Sequence, residues 1–157
     1  MTALSIRKIA LVKKSKGTIS QAEYAALAKF RYTLRRFLDF SSSAAVQEGL
    51  PAQQHQALLT IKGFDGEGPI HVGALAEQLM IVPHAAAELV GRLVAAGYVT
   101  RQVDPADRRR HGLYLTEKSE DVLTRLTAIH LKEIRELAPR LIQALSSLGS
   151  ANDGELE

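Results

Sequence analysis

Residues 101–116 read RQVDPADRRRHGLYLT, setting four arginines and two aspartates between two short apolar runs. Leu113 to Leu115 alternate apolar and less apolar residues, the period of a half-buried strand. Tyr98, Val99 and Val103 predict a second strand before it. Pro105, Ala106 and Asp107 mark the approach to a turn between the two. A short hairpin with an arginine-loaded tip is not a core element. It suits contact with an anion.

Composition bounds what surrounds this hairpin. The chain has 157 residues, of which 46% are hydrophobic, enough for one domain with a core, or one domain plus an oligomerisation element. No cysteine is present, which excludes disulfides, thiolate metal sites and thiol redox sensing. No apolar run approaches the length of a membrane span, and the basic N-terminus lacks the apolar stretch of a secretory signal. A cytoplasmic protein without a membrane partner is expected. The net charge is only +3, but it is unevenly spread. Arg7, Lys8, Lys13, Lys14, Lys16, Lys29, Arg31, Arg35 and Arg36 crowd the first 40 residues against Glu23 and Asp39 alone. A basic front and a basic tip at 108–110 suit a polyanionic partner.

The expected order is mainly helical. Residues 1–19 form a basic arm, with a short helix around Ile6 to Val12. Ser20 and Glu23 have capping-box spacing and open a helix running to about Val46 within a segment 20–48. Tyr24, Leu27, Leu34 and Leu38 share one stripe of that helix, and Phe30, Phe37 and Phe40 the next. Two adjacent apolar stripes call for more than one packing partner, which favours a helix that bridges to a second subunit or to a separate domain; the segment is assigned as an N-terminal dimerisation helix. Gly49 and Pro51 take C-cap and N1 roles, and a second helix spans Pro51 to Lys62, burying Ala57, Leu58 and Ile61. Ile70 and His71 suggest a minimal strand. A short helix, Val72 to Leu79, buries Leu75 and Leu79. After a turn at 80–82, Pro83 opens a helix to Ala96 with Leu89, Leu93 and Val94 inward, and Gly97 supplies its left-handed exit. The hairpin follows.

Thr116 caps a C-terminal dimerisation region, 117–149, whose stripe is Val122, Leu126, Ile129, Leu137, Leu141, Leu145 and Leu148. Pro139 predicts a kink or a break into two helices. The acidic tail, 150–157, is expected to be disordered. The fold class is therefore mainly α with a small β-hairpin: a winged helix-turn-helix domain over 49–116, flanked by dimerisation helices from both termini. In that geometry the second helix of the pair enters the major groove, and the wing reaches phosphates or a minor groove.

The stretches LAEQL, RLVAAGYVTR, DPADRRR and LYLTEKS occur in an order and spacing that resembles the MarR family of winged helix-turn-helix regulators, from about Ser20 to Leu148. The resemblance implies a homodimer built by N- and C-terminal helices, a palindromic double-stranded DNA partner, and release by a small, often aromatic or phenolic, effector. By position, Asp107 matches the wing aspartate that braces an arginine of the hairpin. Arg109 matches the arginine that reaches the minor groove, with Arg108 and Arg110 beside it. Pro83 to Ala96 matches the recognition helix, which places Pro83, His84, Ala85, Ala86, Glu88 and Arg92 toward DNA. The helix departs from the family pattern at its cap, where Val82 replaces Ser or Thr, and in its three leading alanines. Alanines offer only methyl contacts, for example to a thymine methyl. The family commonly has Gly where this chain has Ser119.

Arg31 and Arg35, with His55, are candidates for an anionic effector pocket; the competing assignment is a solvated face or contacts to a partner subunit. His130 and Glu133 have helical spacing for a metal, but a structural histidine is the expected role, and neither a metal nor a cofactor is implied. There is no Gly-rich phosphate loop, nucleophile elbow or paired-carboxylate pattern, so an enzyme is not expected. The function expected is a dimeric transcriptional regulator of the MarR type, a repressor that binds a pseudo-palindromic operator and is released by a small ligand. The alternative is a winged-helix ligand-binding or protein-interaction module whose sequence-specific DNA binding is weak or lost.

Overall fold

The structure is a computed structural model that describes residues 19–149. The helix expected around Ile6 to Val12, the rest of the arm before Ile19, and the acidic tail lie outside the described residues. In order, the elements are α1 (Gln21–Gln47), α2 (Ala52–Lys62), α3 (Val72–Leu79), α4 (Pro83–Ala95), β1 (Val99–Val103), β2 (His111–Leu115) and α5 (Glu117–Gly149). The strands pair antiparallel, with Val99 opposite Leu115 and Val103 opposite His111.

Helix ends follow local chemistry. Ser20 Oγ accepts the Glu23 N–H at 3.2 Å, and Glu23 Oε2 accepts the Ser20 N–H at 2.7 Å, so two orphan donors at the start of α1 are satisfied reciprocally. These bonds, the backbone one first, hold the Glu23 carboxyl below its usual pKa. Gly49 leaves α1 at φ +76°, a left-handed turn that costs glycine little. Pro51 stands at the N-cap rather than N1, with φ −54° and ψ 139°, and the helix starts at Ala52. Its ψ is extended, so Pro51 precedes the first helical residue.

The chain divides into two compact units, one spanning Leu38–Glu133 and one drawn from the flanking parts of α1 and α5. The first holds the main core: Leu50, Leu58, Ile70, Leu75, Leu89, Val90, Leu93, Val99, Leu113 and Leu126 are buried together. Ala57, Leu58 and Ile61 on α2 and Leu75 and Leu79 on α3 face inward as their spacing predicts. On α4 the inward set is Ala86, Leu89, Val90 and Leu93. Val94, expected inward, is exposed instead. The period 86, 89, 90, 93 is one helical stripe, and position 94 lies about 100° around from 93.

Along α5, Val122, Leu123, Leu126 and Leu137 are buried, whereas Ile129 and Leu145 are exposed. Pro139 does not divide this helix, which continues from Glu117 to Gly149 with the proline inside it. Its ring removes one donor, and the carbonyl of Arg135 forgoes its helical partner. No second C-terminal helix is formed among the described residues. In the unit made from the flanking parts, Lys29 Nζ lies 3.3 Å from Gln143 Oε1. Ala26, Thr33 and Ala144 are buried there. Tyr24 and Leu38 of α1 are instead 57% and 59% exposed.

One buried site is polar. His55 on α2 and His130 on α5 stack with ring centroids 5.0 Å apart, and Phe40 of α1 meets His130 edge-on at 5.9 Å. His55 Nε2 is buried and has no hydrogen-bond partner. Burial first, and the charge on His130 second, push the His55 pKa below its ordinary value. The folded state therefore takes up this proton less readily than the unfolded chain, so stability present above about pH 6.5 is lost as pH falls below it. Urea unfolding measured between pH 8 and pH 5 should show this decline, and His55→Gln should flatten it. An unchanged slope in the variant would place the acid sensitivity elsewhere.

Candidate nucleic-acid interface

The helix pair α3 and α4 and the hairpin β1–β2 all belong to the Leu38–Glu133 unit. The turn between the helices contains Met80 at φ 55° and ψ 39°, left-handed and 91% exposed. A non-glycine residue in this region costs about 1 kcal/mol. The turn is nevertheless closed by backbone bonds from Met80 N–H to Glu77 O and from Ile81 N–H to Ala76 O, at 3.1 and 3.0 Å. Val82 precedes α4 in an extended conformation without a side-chain cap, and Pro83 occupies the first turn.

The face of α4 turned to solvent carries Pro83, His84, Ala87, Glu88, Gly91 and Arg92, with Ala85 half-buried. Ala86, expected among the contact residues, is fully buried. It belongs to the inward stripe with Leu89 and Val90, where a small side chain lets the helix approach the core. His84 Nε2 lies 3.4 Å from Glu88 Oε1, one turn along the helix. Arg92 is exposed on the same helix, and among the described residues no ion pair to it is found.

The hairpin tip is built on two aspartates. Asp104 Oδ1 accepts the Ala106 N–H at 2.8 Å, and Asp107 Oδ1 accepts the Arg109 N–H at 3.0 Å. Both are bonds to a residue two positions on, the pattern by which aspartate side chains shape turns. The Asp104 N–H donates to Arg110 O, and the Arg110 N–H to Asp107 O, each at 2.9 Å. Arg108, Arg109 and Arg110 stand exposed on this frame, with Arg110 Nε 3.6 Å from Asp107 Oδ2. An exposed pair at that distance contributes little to stability. Its effect is to orient the guanidinium.

Sequence reasoning missed what roots the hairpin. Asp104 is buried, and its Oδ2 lies 3.0 Å from His71 Nε2. His71 Nδ1 in turn lies 3.0 Å from the carbonyl of His111. Both ring nitrogens face oxygen acceptors, so the ring is held from two sides. Ile70 and His71 form no strand. Ile70 instead accepts a single bond, at 2.9 Å, from the Leu113 N–H. Gly112 permits that approach, because a Cβ there would come within 2.5 Å of the Pro69 ring. The Asp104-Pro105 pair was the available signal, since aspartate before proline favours a turn.

Ser119 was likewise noted only as a departure. It is fully buried, accepts the Thr116 N–H at 2.9 Å and donates to the Thr116 carbonyl at 2.8 Å. Thr116 Oγ1 donates to Gly97 O at 2.7 Å, and Lys118 Nζ donates to Ala96 O at 2.7 Å while lying 4.2 Å from the centre of the Tyr98 ring. The exit of α4 and the start of α5 are thereby joined.

Of the proposed effector residues, His55 is a buried core residue stacked on His130, and Arg31 and Arg35 are exposed on α1. A cavity of about 610 Å³ is lined by His71, Gly73, Glu77, Arg101, Arg110 and His111, among others. A smaller one, about 140 Å³, lies against Phe40, Ser43, Gln47, Glu48 and Ile129. None of Arg31, Arg35 and His55 lines either. Among the described residues no group of three or more His, Cys, Asp or Glu side chains is placed to hold a metal ion, and no helix is long and apolar enough to cross a membrane.

Removing the buried carboxylate leaves the His71 ring and the Ala106 amide without their acceptor. Asp104→Ala should lower stability by about 1–3 kcal/mol and speed amide hydrogen exchange at Ala106 and Arg110, with helix content unchanged. Unaltered exchange at both amides would refute the anchoring role.

Comparison with known proteins places this geometry. A family model described as MarR family matches residues 48–110. Among curated proteins no sequence match to the chain is found. Among solved structures the chain is similar to AbsC, a MarR family transcriptional regulator from Streptomyces coelicolor, at 19% identity and TM-score 0.66, covering 87% of this chain and 93% of that one. RV1404 from Mycobacterium tuberculosis matches at 25% identity and TM-score 0.65, over 87% of this chain and 99% of its own. The MepR–DNA complex of S. aureus matches at 20% identity and TM-score 0.62, over 78% and 89%. Residues 48–110 thus match the MarR family model, and the chain shares the winged helix-turn-helix fold of these solved structures.

Proposed function

We propose that the protein is a homodimeric regulator of transcription that binds a pseudo-palindromic duplex operator, with Arg108, Arg109 and Arg110 on phosphates or in a minor groove. The observation that carries this is the exposed arginine tip, held on two aspartate-built turns beside a helix-turn-helix. Such a tip has no role in the core, and a fixed backbone lowers the ordering cost of contacting DNA. The likeness to MepR, which was crystallised with DNA, supports the same assignment. On α4, Pro83, His84, Ala85, Glu88 and Arg92 face the groove, with His84 and Arg92 as the polar contacts able to reach phosphate or base edges.

The dimer rests on exposed apolar side chains. Tyr24, Leu27, Leu34 and Leu38 of α1, and Ile134, Ile142 and Leu145 of α5, face solvent in the single chain. Interleaving α1 and α5 with a second copy covers them. In that dimer the two α4 helices meet successive major grooves, about 34 Å apart. Occupancy of the operator blocks polymerase, and a small ligand that changes the spacing of the two helices relieves the block. The segments 20–48 and 117–149 are thus the dimerisation elements, and 49–116 the DNA-binding domain.

Few groups on α4 can read bases, which favours a second reading, a winged-helix module that binds ligand or protein while sequence-specific DNA binding is weak. Selection of bound duplexes from a random pool at two salt concentrations separates the two. A regulator enriches a palindrome with half-sites one helical turn apart, whereas no retention at either salt would sink DNA binding. Arg109→Gln should lower affinity for all sequences alike and reduce the salt slope of log K by about one unit for one lost phosphate contact. A slope identical to the native protein's would remove Arg109 from the interface.

A further inference from the structure

The polar side chains of α4 are His84, Glu88 and Arg92. They follow one another at four-residue spacing, so they share one face of the helix, and all three are exposed. The positions beside them on that face are small. Ala87 is exposed, and a Cβ added at Gly91 would meet no atom within 4 Å. Nothing bulky keeps this polar row from a surface laid against it.

The first two members of the row are adjacent. His84 Nε2 lies 3.4 Å from Glu88 Oε1, with the side chains 86% and 58% exposed. Helix stability does not account for the pair. The acid follows the base by four residues, the weaker of the two orientations, and a pair this exposed contributes little. Turned toward DNA, the Glu88 carboxylate is repelled by phosphates, a cost offset only where it meets a donor.

In the major groove that donor is cytosine N4 or adenine N6. Adenine N6 stands between two acceptors, its own N7 and O4 of the paired thymine, and both repel a carboxylate. Cytosine N4 has an acceptor on one side alone, O6 of its paired guanine, with guanine N7 beyond it. That edge calls for a donor next to the carboxylate, and His84 Nε2 occupies this place beside Glu88. A proton on Nε2 supplies the donor in the charged ring and in one neutral tautomer.

We propose that Glu88 and His84 together read one C·G base pair in each half-site, Glu88 accepting from cytosine N4 and His84 donating to guanine O6 or N7. The proposal rests on the DNA-binding reading above and adds to it the base pair that this sparse helix selects.

The test compares the native full-length chain with Glu88→Gln and His84→Ala in selection from a random duplex pool, followed by affinity measurements on the enriched duplexes. Both side chains are exposed, so neither variant threatens the core. The native protein should enrich C·G at one fixed position of each half-site and bind it about fivefold or more tighter than A·T there. A glutamine amide both donates and accepts, which matches adenine N6 and N7. Glu88→Gln should therefore exchange the preference for A·T at that position and leave the rest of the motif unchanged. His84→Ala should reduce the C·G preference about threefold or more.

A Glu88→Gln protein that enriches the native motif unchanged, or that binds all duplexes more tightly alike, would overturn the proposal, because Glu88 would then be a repelling charge and no more. A C·G preference that His84→Ala leaves intact would do the same. If the native protein retains no duplex at either salt, the DNA-binding reading falls and this one with it. A palindrome retained without dependence on Glu88 keeps the DNA-binding reading and removes only this one.

Discussion

A two-stranded hairpin of five residues a strand is marginally stable on its own in water. The arginines at its tip are therefore only as well placed as its root. That root combines a buried carboxylate, Asp104, with the imidazole of His71 from the helix-turn-helix and the carbonyl of His111 across the hairpin. The Leu113 N–H bond to Ile70, beneath a glycine that lets Pro69 close in, adds the second attachment. A buried acid without such partners costs several kcal/mol. The same carboxylate that fixes the wing would loosen it if its partners moved.

α4 shows the opposite balance. Its inward stripe of Ala86, Leu89, Val90 and Leu93 makes a close fit with the core, and its outward face is chemically sparse. His84 is paired with Glu88, and alanines supply only methyl groups. Exposed positive charge is concentrated at the hairpin tip, whereas the outward face of α4 carries few polar groups. Stacked His55 and His130 lie deeper in the same unit, where the core tolerates two polar rings by stacking them.

How much of this was legible in the sequence varied by element. α3 and the core faces of α2 and α3 followed from spacing, because a 3.6-residue period fixes which side chains share a face. The capping box at Ser20, the left-handed exits at Gly49 and Gly97 and the arginine tip were equally local. α4 was less secure: Ala86 and Val94 exchanged sides, since a stripe with several alanines and valines admits two registers until it meets the core. Of the kink or break expected at Pro139, the break does not occur, because one missing hydrogen bond does not end a helix that continues to Gly149.

The sequence alone determined the helices, the turn residues, the hairpin and the position of its charges, since each depends on residues within about one helical turn of one another. Only the tertiary structure decided which polar groups meet across the chain. His71 and Asp104 are separated by a helix-turn-helix and a strand, yet lie 3.0 Å apart. His55 and His130 come from α2 and α5, and their rings stack in the core. Such pairings depend on how the helices and the hairpin close around one core, and no local pattern encodes that closure.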